Sequence, residues 1–451
     1  MNDTIAAIST TMGVGAISII RISGDSSISI VNKIWSGKDL SKVLTHTIHY
    51  GYIKSRDEII DEVLVSVMKA PKTFTMEDIV EINCHGGITT TNKILELLLT
   101  SGARLAEPGE FTKRAFLNGR IDLVNAESIM DLLQVKTEQA RKLAIKGLDG
   151  HISLIIKKLR QKMLEIIATI EVNIDYPEYE DIEIMTNMKI KPQLAILKSD
   201  LEKIINESET GQIIKNGIKT VIVGRPNVGK SSLLNCLLKE EKAIVTEIEG
   251  TTRDTVEGTI NLDGILLNII DTAGIRNTND IVEKIGVERS LSLIKEADLV
   301  IVVVNNNEQL TSLDKDILLK TQATNSIVVV NKNDLNTKLN YHELEGRQVV
   351  FTNTCLESGI EELTNKIKEL FNLNEIETKD YNYLSNIRQI ALAKEAYNII
   401  LEAEQGIQNS MPIDIVEIDL KRSWDKLGEI IGDTYTEELL DQLFSQFCIG
   451  K

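Results

Sequence analysis

Cysteine, positive charge and long apolar runs are all scarce in this sequence of 451 residues. The four cysteines, Cys84, Cys236, Cys355 and Cys448, lie far apart without a CxxC pair, which argues against disulfide bonds and a zinc site. Lys and Arg total 50 against 67 Asp and Glu, so the net charge is −17 and any RNA contact must be a local basic patch. The sequence has no apolar run of membrane-spanning length and no signal or transit pattern at its start. These absences predict a cytoplasmic protein without a membrane association.

The sequence contains a complete GxxxxGK[ST] motif at residues 224–231. It follows an apolar run typical of a buried strand and precedes a helix-like stretch, which is the context of a phosphate-binding loop. Glycines let backbone N–H groups close around phosphate, Lys230 brings positive charge to the β- and γ-phosphates, and Ser231 can bind magnesium. A chance glycine-rich turn is the alternative, and three further motifs that follow in order argue against it.

The three further motifs are typical of guanine-nucleotide-binding proteins. A DTAG motif follows an apolar strand, so Asp271 suits a magnesium-linked carboxylate and Gly274 can present its N–H to a γ-phosphate. An NKND motif ends at Asp334, whose carboxylate can accept two hydrogen bonds that guanine offers and adenine does not. A GTTRD motif places Thr252 where it can close over magnesium once a γ-phosphate is bound. Together these motifs predict binding of GTP and GDP.

The position of the water-orienting glutamine of Ras-like GTPases holds Ile275 here. Isoleucine cannot orient water, so the water and the developing charge must be handled by other groups. Asn227 either coordinates a monovalent cation beside the phosphates, with carbonyls of residues 246–251 completing the shell, or only braces the loop. Glu283 either positions the water through a second water or is a solvated charge on a helix.

The rest of the chain divides into α/β and helical stretches. Strand patterns at 15–24, 62–68 and 78–84 and a helical pattern at 90–99 predict an α/β region at the N-terminus. Helical patterns follow on both sides of the motif-bearing segment, at 152–172, 387–403 and 437–447. We expect one helical domain in two pieces with the GTPase inserted between them, or else two independent helical domains.

Strands and helices alternate within the motif-bearing segment, which predicts a doubly wound sheet with the nucleotide at the carboxyl ends of its strands. The predicted strands lie near Val221, Leu262, Ile269, Val302, Val329 and Val350.

Three residues outside the nucleotide motifs allow two interpretations each. Arg21, inside an apolar strand, forms a structural salt bridge or contacts an anionic ligand. His85, followed by two glycines, lines a ligand-binding turn or belongs to a plain strand-to-helix connection. Cys448 has a nucleophilic or redox role or is a buried structural cysteine.

Several longer blocks make the chain resemble, from end to end, the MnmE (TrmE) family of bacterial tRNA-modification GTPases. They are NDTIAA at the start, RISG from Arg21, PGEFT and RAFLN between Pro108 and Asn118, the GTPase motifs, and FCIGK at the end. The resemblance implies an α/β plus all-α fold. It comprises an N-terminal α/β domain for dimerisation and folate binding (1–118), a discontinuous helical domain (119–215 and 376–451), and an inserted Ras-like P-loop GTPase domain (216–375).

The resemblance also implies a function: a potassium-stimulated GTPase that acts as a homodimer with MnmG (GidA), an FAD-carrying partner, in a heterotetramer or larger complex. Together the two proteins add an aminomethyl or carboxymethylaminomethyl group at C5 of the wobble uridine of certain tRNAs. A tetrahydrofolate derivative (5-formyl- or 5,10-methylene-) supplies the one-carbon unit. GTP hydrolysis drives association of the switch loops and a conformational change.

Site residues carried over from the family fall into four groups. The folate contacts are Arg21, Glu81, Arg120 and Lys451; the potassium ligands are Asn227, Thr246, Ile248 and Thr251; the magnesium ligands are Ser231 and Thr252. The catalytic residues are Glu283, which orients water, with Lys230 and Asn227. With the motifs, the nucleotide contacts are Asn227, Val228, Gly229, Lys230, Ser231, Ser232, Thr246, Glu247, Ile248, Glu249, Gly250, Thr251, Thr252, Asp271, Thr272, Ala273, Gly274, Asn331, Lys332 and Asp334.

Two positions depart from the family pattern. Arg120 stands where the family has Lys, so a planar fork replaces a point charge. The fifth GTPase motif, Ser-Ala followed by Arg or Lys in the family, is Asn353-Thr354-Cys355 here, and its backbone can still meet the guanine O6.

Two other functions compete with this one. A regulatory or ribosome-assembly GTPase would bind RNA without modifying it, but it leaves the folate-type residues and the terminal CIGK unexplained. A folate-binding structural module with a vestigial GTPase is opposed by the intact Lys230, Ser231, Thr252 and Asp271.

Overall fold

Two units make up the chain in its computed structural model, which describes residues 3–175, 187–239, 256–270, 293–354, 358–371, 373 and 383–451. Unit 1 comprises Met1–Met130, Gly147–Leu194 and Asn398–Lys451. Unit 2 comprises Asp131–Lys146 and Ala195–Tyr397. Each unit has a sheet and hydrophobic clusters of its own.

The sheet of unit 1 has seven strands in the order β3-β4-β5-β6-β2-β1-β7. Its strands are β1 (Ile5–Ile8), β2 (Gly15–Ser23), β3 (Trp35–Ser36), β4 (Thr47–Ser55), β5 (Glu58–Met68), β6 (Ile79–Gly86) and β7 (Arg104–Leu105). All neighbouring pairs are antiparallel except β1 and β7, which run parallel.

Alternation along β2 determines which side chains enter the core of unit 1. Ile20 and Ile22 are fully buried and belong to one cluster, whereas Arg21 between them points to the opposite face because successive side chains of a strand alternate. A smaller cluster contains Ile5, Ala7 and Phe111.

Within the described residues, the helices, with two short 3-10 helices at Leu40–Lys42 and Tyr341–Leu344, have the following bounds. They are α1 (Ser27–Ile34), α2 (Ile88–Thr100), α3 (Glu110–Leu117), α4 (Leu123–Gln134), α5 (Glu138–Leu148), α6 (His151–Asp175), α7 (Asn187–Asn216), α8 (Lys230–Lys239), α9 (Ser312–Lys320), α10 (Ile360–Leu370), α11 (Ile387–Gln408), α12 (Ile413–Ile431) and α13 (Glu437–Phe444).

In unit 1, α6 packs against α12. Apolar residues recur along α6 at helical spacing and are buried, as with Ile156, Leu159 and Met163. Leu420 and Leu427 of α12 are buried in the same way. Burying such a stripe stabilises a helix because each buried Leu or Ile side chain contributes about 1.5–3 kcal/mol.

The sheet of unit 2 has six strands in the order β13-β12-β11-β8-β10-β9. Its strands are β8 (Ile218–Val223), β9 (Val256–Leu262), β10 (Ile265–Ile270), β11 (Leu299–Asn305), β12 (Ser326–Asn331) and β13 (Gln348–Phe351). The pairs are parallel apart from β9, which runs antiparallel to β10.

Both faces of this sheet are covered. Ile222 and Ile301 belong to a cluster with residues of α8 and α10, whereas Val221 and Val302 belong to a second cluster with residues of α9. A parallel sheet buried on both faces is the doubly wound arrangement that the sequence predicts.

The structure confirms the predicted strands and most of the predicted helices. Predicted strands 15–24, 62–68 and 78–84 are β2, β5 and β6, and all six strands predicted for the GTPase segment are present. The helix predicted over 437–447 ends at Phe444 instead, because the residues after it leave the helix and contact the N-terminal region.

Candidate functional site

The phosphate loop, residues 224–230, joins β8 to α8 at the carboxyl edge of the six-stranded sheet. In an open α/β sheet this edge is where ligands bind. Asn227 has a φ of +64° and Gly229 a φ of +100°, so the loop turns through left-handed backbone. A Cβ atom at Gly229 would lie 2.1 Å from Nδ2 of Asn331, so glycine alone fits there.

Lys230 begins α8, and its ammonium group lies against the loop. Its Nζ donates to the carbonyl oxygens of Gly224 at 2.8 Å and Arg225 at 2.9 Å. Ser231 and Ser232 follow on the exposed side of the helix. Because the N-terminus of a helix favours an anion, this arrangement brings the lysine, the hydroxyl groups and the helix dipole to one place.

Asn331, at the end of β12, connects the loop to the base-recognition motif. Its Nδ2 donates to the carbonyl oxygen of Val228 at 3.0 Å. Its Oδ1 accepts from Oγ1 of Thr352 at 3.3 Å and from the backbone N–H of Thr354 at 3.4 Å. This side chain, which is 1% exposed, therefore holds three segments together by its amide.

The NKND motif continues from Asn331 toward the surface. Lys332 has a φ of +60°, and its Nζ donates to the carbonyl oxygen of Asn227 at 3.1 Å. Asp334 is exposed, so its carboxylate is accessible to the two donors of a guanine base.

The altered fifth motif is tied to the same framework. The N–H of Thr354 donates to Asn331, and its carbonyl oxygen accepts from Sγ of Cys236 at 3.1 Å. The backbone is therefore anchored without the Ser-Ala pattern, while Cys355 lies outside the described residues.

Arg225, inside the loop, forms two ion pairs that no sequence pattern indicates. It pairs through Nη2 with Glu308, and its Nε lies 3.2 Å from Oδ2 of Asp314. Asp314 is 2% exposed and forms a capping box with Thr311 at the start of α9. Hydrogen bonds from Arg225 and Asn305 hold the pKa of Glu308 below its ordinary value. The phosphate loop is thus braced by the segment that connects β11 to α9.

Part of the predicted nucleotide and metal site lies outside the described residues, and the roles of these residues stay predictions. They are Thr246, Glu247, Ile248, Glu249, Gly250, Thr251, Thr252, Asp271, Thr272, Ala273, Gly274 and Glu283.

A second candidate site, the arginine site, consists of Arg21, Glu81, Arg120, Gly450 and Lys451. Arg21 on β2 lies directly opposite Glu81 on β6, and its Nη2 is 2.8 Å from Oε1 of that carboxylate. The two side chains are 23% and 21% exposed. The structure confirms the salt bridge, and its partial exposure leaves both groups accessible to a ligand.

The C-terminal segment, residues 447–451, docks on this pair. The carbonyl oxygen of Gly450 accepts from Nη1 of Arg21 at 3.4 Å and from Oγ of Ser9 at 3.1 Å. Gly450 has a φ of +91°, and a Cβ atom there would lie 2.3 Å from the carbonyl oxygen of Ile8. The N–H of Gly109 donates to the carbonyl oxygen of Cys448 at 3.3 Å. The last residues of the chain are therefore held beside the first strands.

Arg120 joins Arg21 beside one aromatic ring. Nη1 of Arg120 donates to the carbonyl oxygen of Phe74 at 2.8 Å, and its guanidinium lies 4.8 Å from the centre of the Phe74 ring. The guanidinium of Arg21 lies 5.9 Å from the same ring and 5.7 Å from the ring of Phe111. A planar guanidinium can stack on a ring and donate a hydrogen bond at the same time.

Helix α3 contributes a buried charge cluster. Arg114 is 1% exposed, and its guanidinium pairs with Asp3 at 2.8 Å, Glu110 at 3.0 Å and Glu77 at 3.1 Å. Arg104 also pairs with Glu110. Burial by itself would raise the pKa of Glu110, but hydrogen bonds from Arg104, the Glu107 backbone and Arg114 outweigh burial and lower that pKa.

The fold excludes one of the open interpretations. Cys448 is exposed, so its interpretation as a buried structural cysteine is wrong. The residues before it leave α13, and Phe447 takes the buried position instead. His85 is the last residue but one of β6, and its ring pairs with Asp61 at 2.7 Å.

Within the described ranges, the helices include none whose length and apolarity would let it cross a membrane.

Comparisons with known proteins cover the whole chain. Residues 4–120 match the family model described as the N-terminus of the GTP-binding protein TrmE, and residues 123–448 match the MnmE helical domain. A protein of Bacillus cytotoxicus named tRNA modification GTPase MnmE is 53% identical over 455 residues, covering 100% of this chain and 99% of that protein. The protein of the same name from Bacillus licheniformis is 54% identical over 458 residues and 100% of both chains.

Solved structures of other proteins match parts of the chain. The G domain of the T. maritima FeoB iron transporter is 32% identical and covers 34% of this chain and 98% of its own, with a TM-score of 0.26. Era of Aquifex aeolicus bound to GDP and AlF4⁻ is 23% identical over 40% of this chain and 66% of its own, also with a TM-score of 0.26. The family assignment rests on the full-length relatives, because structural matches with TM-scores this low support no assignment.

Proposed function

This chain belongs to the MnmE (TrmE) family of tRNA modification GTPases, and from that premise we propose that it hydrolyses GTP to drive modification of the wobble uridine of certain tRNAs. Its partner is MnmG, which carries FAD, and the product bears an aminomethyl or carboxymethylaminomethyl group at C5. The observation that carries the proposal is the presence, in one chain, of a braced phosphate loop and a partly exposed arginine site.

The phosphate loop supports GTP binding with magnesium. Lys230 lies against the loop carbonyls, Asn331 fixes the loop to β12, and Asp334 is open to a guanine base. Ser231 is an exposed hydroxyl at the start of α8, which suits a magnesium ligand. In this proposal Thr252 supplies the second hydroxyl.

Asn227 supports a potassium ion beside the phosphates. Asn227 is exposed, so its side-chain amide oxygen is available on the surface of the loop. Its backbone is left-handed. Oxygen atoms are the ligands that alkali cations take in proteins, and such an ion would neutralise charge that develops in the transition state. Thr246, Ile248 and Thr251 complete the proposed shell, and Glu283 orients the water.

Hydrolysis rates test the potassium claim. We expect faster turnover in potassium than in sodium at equal ionic strength, and Asn227→Ala should remove the difference. Asn235→Ala, on the exposed side of α8, is the matched control and should keep it. Equal wild-type rates in the two salts would contradict the claim.

The arginine site fits a tetrahydrofolate derivative, either 5-formyl or 5,10-methylene. Two guanidinium groups and Lys451 suit the carboxylates of such a molecule. Arg21 engages Oε1 of Glu81, and Oε2 can accept from a ring N–H. When bound, the folate supplies the one-carbon unit. The chain's own residues bind and orient it, and the docked C-terminal segment closes one side of the site.

The domain arrangement belongs to the same proposal. An N-terminal domain (1–118) dimerises and binds folate, a GTPase domain (216–375) binds nucleotide, and the flanking pieces (119–215 and 376–451) form one helical domain. Association of the switch loops on GTP binding is the step that hydrolysis resets.

Mass spectrometry of tRNA nucleosides tests the whole proposal. Cells that lack the chain should lose the C5-modified wobble uridine, and the wild-type gene should restore it. Arg21→Met should bind a tetrahydrofolate derivative at least about tenfold more weakly while GTP turnover stays unchanged, because a charge-assisted contact is lost. Unchanged nucleosides in the deletion would favour an RNA-binding GTPase that modifies nothing.

A further inference from the structure

The first half of α6 concentrates positive charge on a chain whose net charge is −17. Residues 157–162 read KKLRQK, and no other window of six residues in the sequence holds four basic residues. Residues 150–164 contain neither Asp nor Glu. The acidic residues of the helix, Glu165, Glu171 and Asp175, all lie in its second half.

Three of the four basic side chains are on the surface. Lys157, Lys158 and Lys162 are exposed, and we call them the lysine face. Arg160 turns inward instead: it is 8% exposed, its guanidinium lies 3.8 Å from the centre of the Trp424 ring, and it pairs with Asp433. The fold therefore uses the arginine for packing and leaves the three lysines on the outer side of the helix.

The stability of α6 does not account for this distribution. A helix dipole acts within the first and last turns, and Lys157, Lys158 and Lys162 lie outside both, so it does not account for them. In the second half, Glu171 pairs with Lys421 of α12, so this acidic residue connects the two helices. Among the described residues, Lys157 and Lys158 have no ion-pair partner. An external anion would compensate for the positive charges of Lys157 and Lys158, which do not stabilise the helix.

We propose that the lysine face contacts phosphate groups of the tRNA backbone. This inference rests on the proposed function, because it takes tRNA as the ligand. An acidic chain repels a polyanion at long range, so it needs a local cluster whose binding releases counterions. Lys158 and Lys162 are one helical turn apart, about 6 Å along the axis, so their flexible side chains reach neighbouring phosphates.

Lysine contacts of this kind position an RNA without reading its sequence. The lysine face therefore serves every tRNA that the protein accepts, and selection among tRNAs resides elsewhere. A lysine cluster can also contact an acidic protein surface or an anionic membrane. Binding of the lysine variants to tRNA, to MnmG and to anionic vesicles separates these alternatives.

The test compares two triple variants of the full-length chain with equal change in net charge. One is Lys157→Gln, Lys158→Gln and Lys162→Gln. The matched control is Lys315→Gln, Lys320→Gln and Lys366→Gln, which neutralises three lysines of α9 and α10. The measurement is the dissociation constant for unmodified tRNA at several salt concentrations.

We expect the first variant to bind tRNA about tenfold more weakly near physiological salt. The logarithm of its association constant should also fall less steeply with the logarithm of the salt concentration, by about 2 in the magnitude of the slope. The control should bind like the wild type. GTP turnover and binding of a tetrahydrofolate derivative should be unchanged in both variants, which shows that they fold. Replacing the same three lysines by arginine should retain tRNA binding.

Equal weakening in both variants would leave only a long-range charge effect and overturn the inference. Unchanged tRNA binding in the first variant would overturn the inference. Weaker binding of that variant to MnmG or to anionic vesicles would then identify a protein surface or a membrane as what the lysine face contacts. Wild-type chain that neither binds tRNA nor restores its modification would instead overturn the proposed function.

Discussion

Side chains whose identity the nucleotide motifs do not specify hold the phosphate loop in place. Arg225 is the clearest case, since it pairs with Glu308 and with the nearly buried Asp314. Its position in the loop is fixed by the motif, but its partners lie more than eighty residues further along the chain.

Replacing Glu308 by Gln tests the brace. The amide can still accept a hydrogen bond but loses its attraction to Arg225, so the loop should become less ordered. We expect GDP release and the KM for GTP to rise about two- to fivefold with little change in kcat, because a partly exposed pair contributes up to about 1 kcal/mol. Stopped-flow release of a fluorescent GDP analogue and steady-state kinetics measure this.

Glu343→Gln is the matched control, because Glu343 pairs with an exposed lysine, Lys315, on the same unit. That variant should behave like the wild type. An unchanged KM in Glu308→Gln would show that the ion pair has no positioning role.

Glu110 makes the stability of unit 1 depend on pH. Its pKa in the folded chain is lower than the ordinary value of 4.5, so its stabilising effect is present above that value and is lost as the pH falls through the folded pKa. Glu110→Gln should lower the free energy of unfolding at pH 7 by about 1–3 kcal/mol, because Arg114 keeps its other two carboxylates.

Urea unfolding over a pH range from 7 to well below 4.5 measures how the free energy of unfolding depends on pH. The wild type should lose stability toward acid, and the difference between wild type and Glu110→Gln should shrink at the lowest pH. A constant difference at every pH would contradict the assignment, since the interaction would then not depend on the charge of Glu110.

At the scale of elements, strands and helices follow from periodicity and loops follow from tertiary contacts. The alternation along β2 and the continuous apolar run of β8 predict these strands, because β2 buries one face and β8 buries both. The end of α13 is different: the pattern continues to Phe447, but the chain leaves the helix at Phe444 to dock on the N-terminal strands.

Gly450→Ala should detach this C-terminal segment. The new Cβ atom would lie 2.3 Å from the carbonyl oxygen of Ile8, and the residue would keep a φ of +91° only under strain. We expect a loss of about 1–3 kcal/mol in stability and at least tenfold weaker binding of a tetrahydrofolate derivative, with the KM for GTP unchanged. Urea unfolding, calorimetric titration and GTPase kinetics measure the stability, the folate affinity and the KM, respectively.

Gly102→Ala separates strain from steric clash. Gly102 also has a positive φ, +118°, but a Cβ atom there would meet nothing within 4 Å. This variant should lose some stability and keep folate binding. Equal loss of binding in both variants would mean that general destabilisation, and not the docked segment, is responsible.

At the scale of the whole molecule, the chain carries two units with separate cores and a candidate site in each. A ligand stabilises the structure that binds it, so each ligand should protect its own segment from hydrogen exchange. We expect GDP to slow exchange in the phosphate loop and at the end of β12. A tetrahydrofolate derivative should slow exchange in β2 and residues 447–451.

Two variants serve as controls for this experiment. Lys230→Ala should abolish only the protection by GDP, and Arg21→Met only the protection by the folate. Protection of residues 447–451 by neither ligand would contradict the role of the C-terminal segment in the arginine site.

The sequence by itself determined many of the strands and helices and the chemistry of the nucleotide motifs. Those features depend on neighbours along the chain: the period of the apolar residues, the glycines of a turn, and a lysine at the start of a helix. Only the tertiary structure decided which distant residues meet, including the carbonyl of Gly450 at Arg21, 429 positions away, and Arg120 on the ring of Phe74. Such pairs depend on strand order and on how the chain ends pack, and no local pattern of residues carries that information.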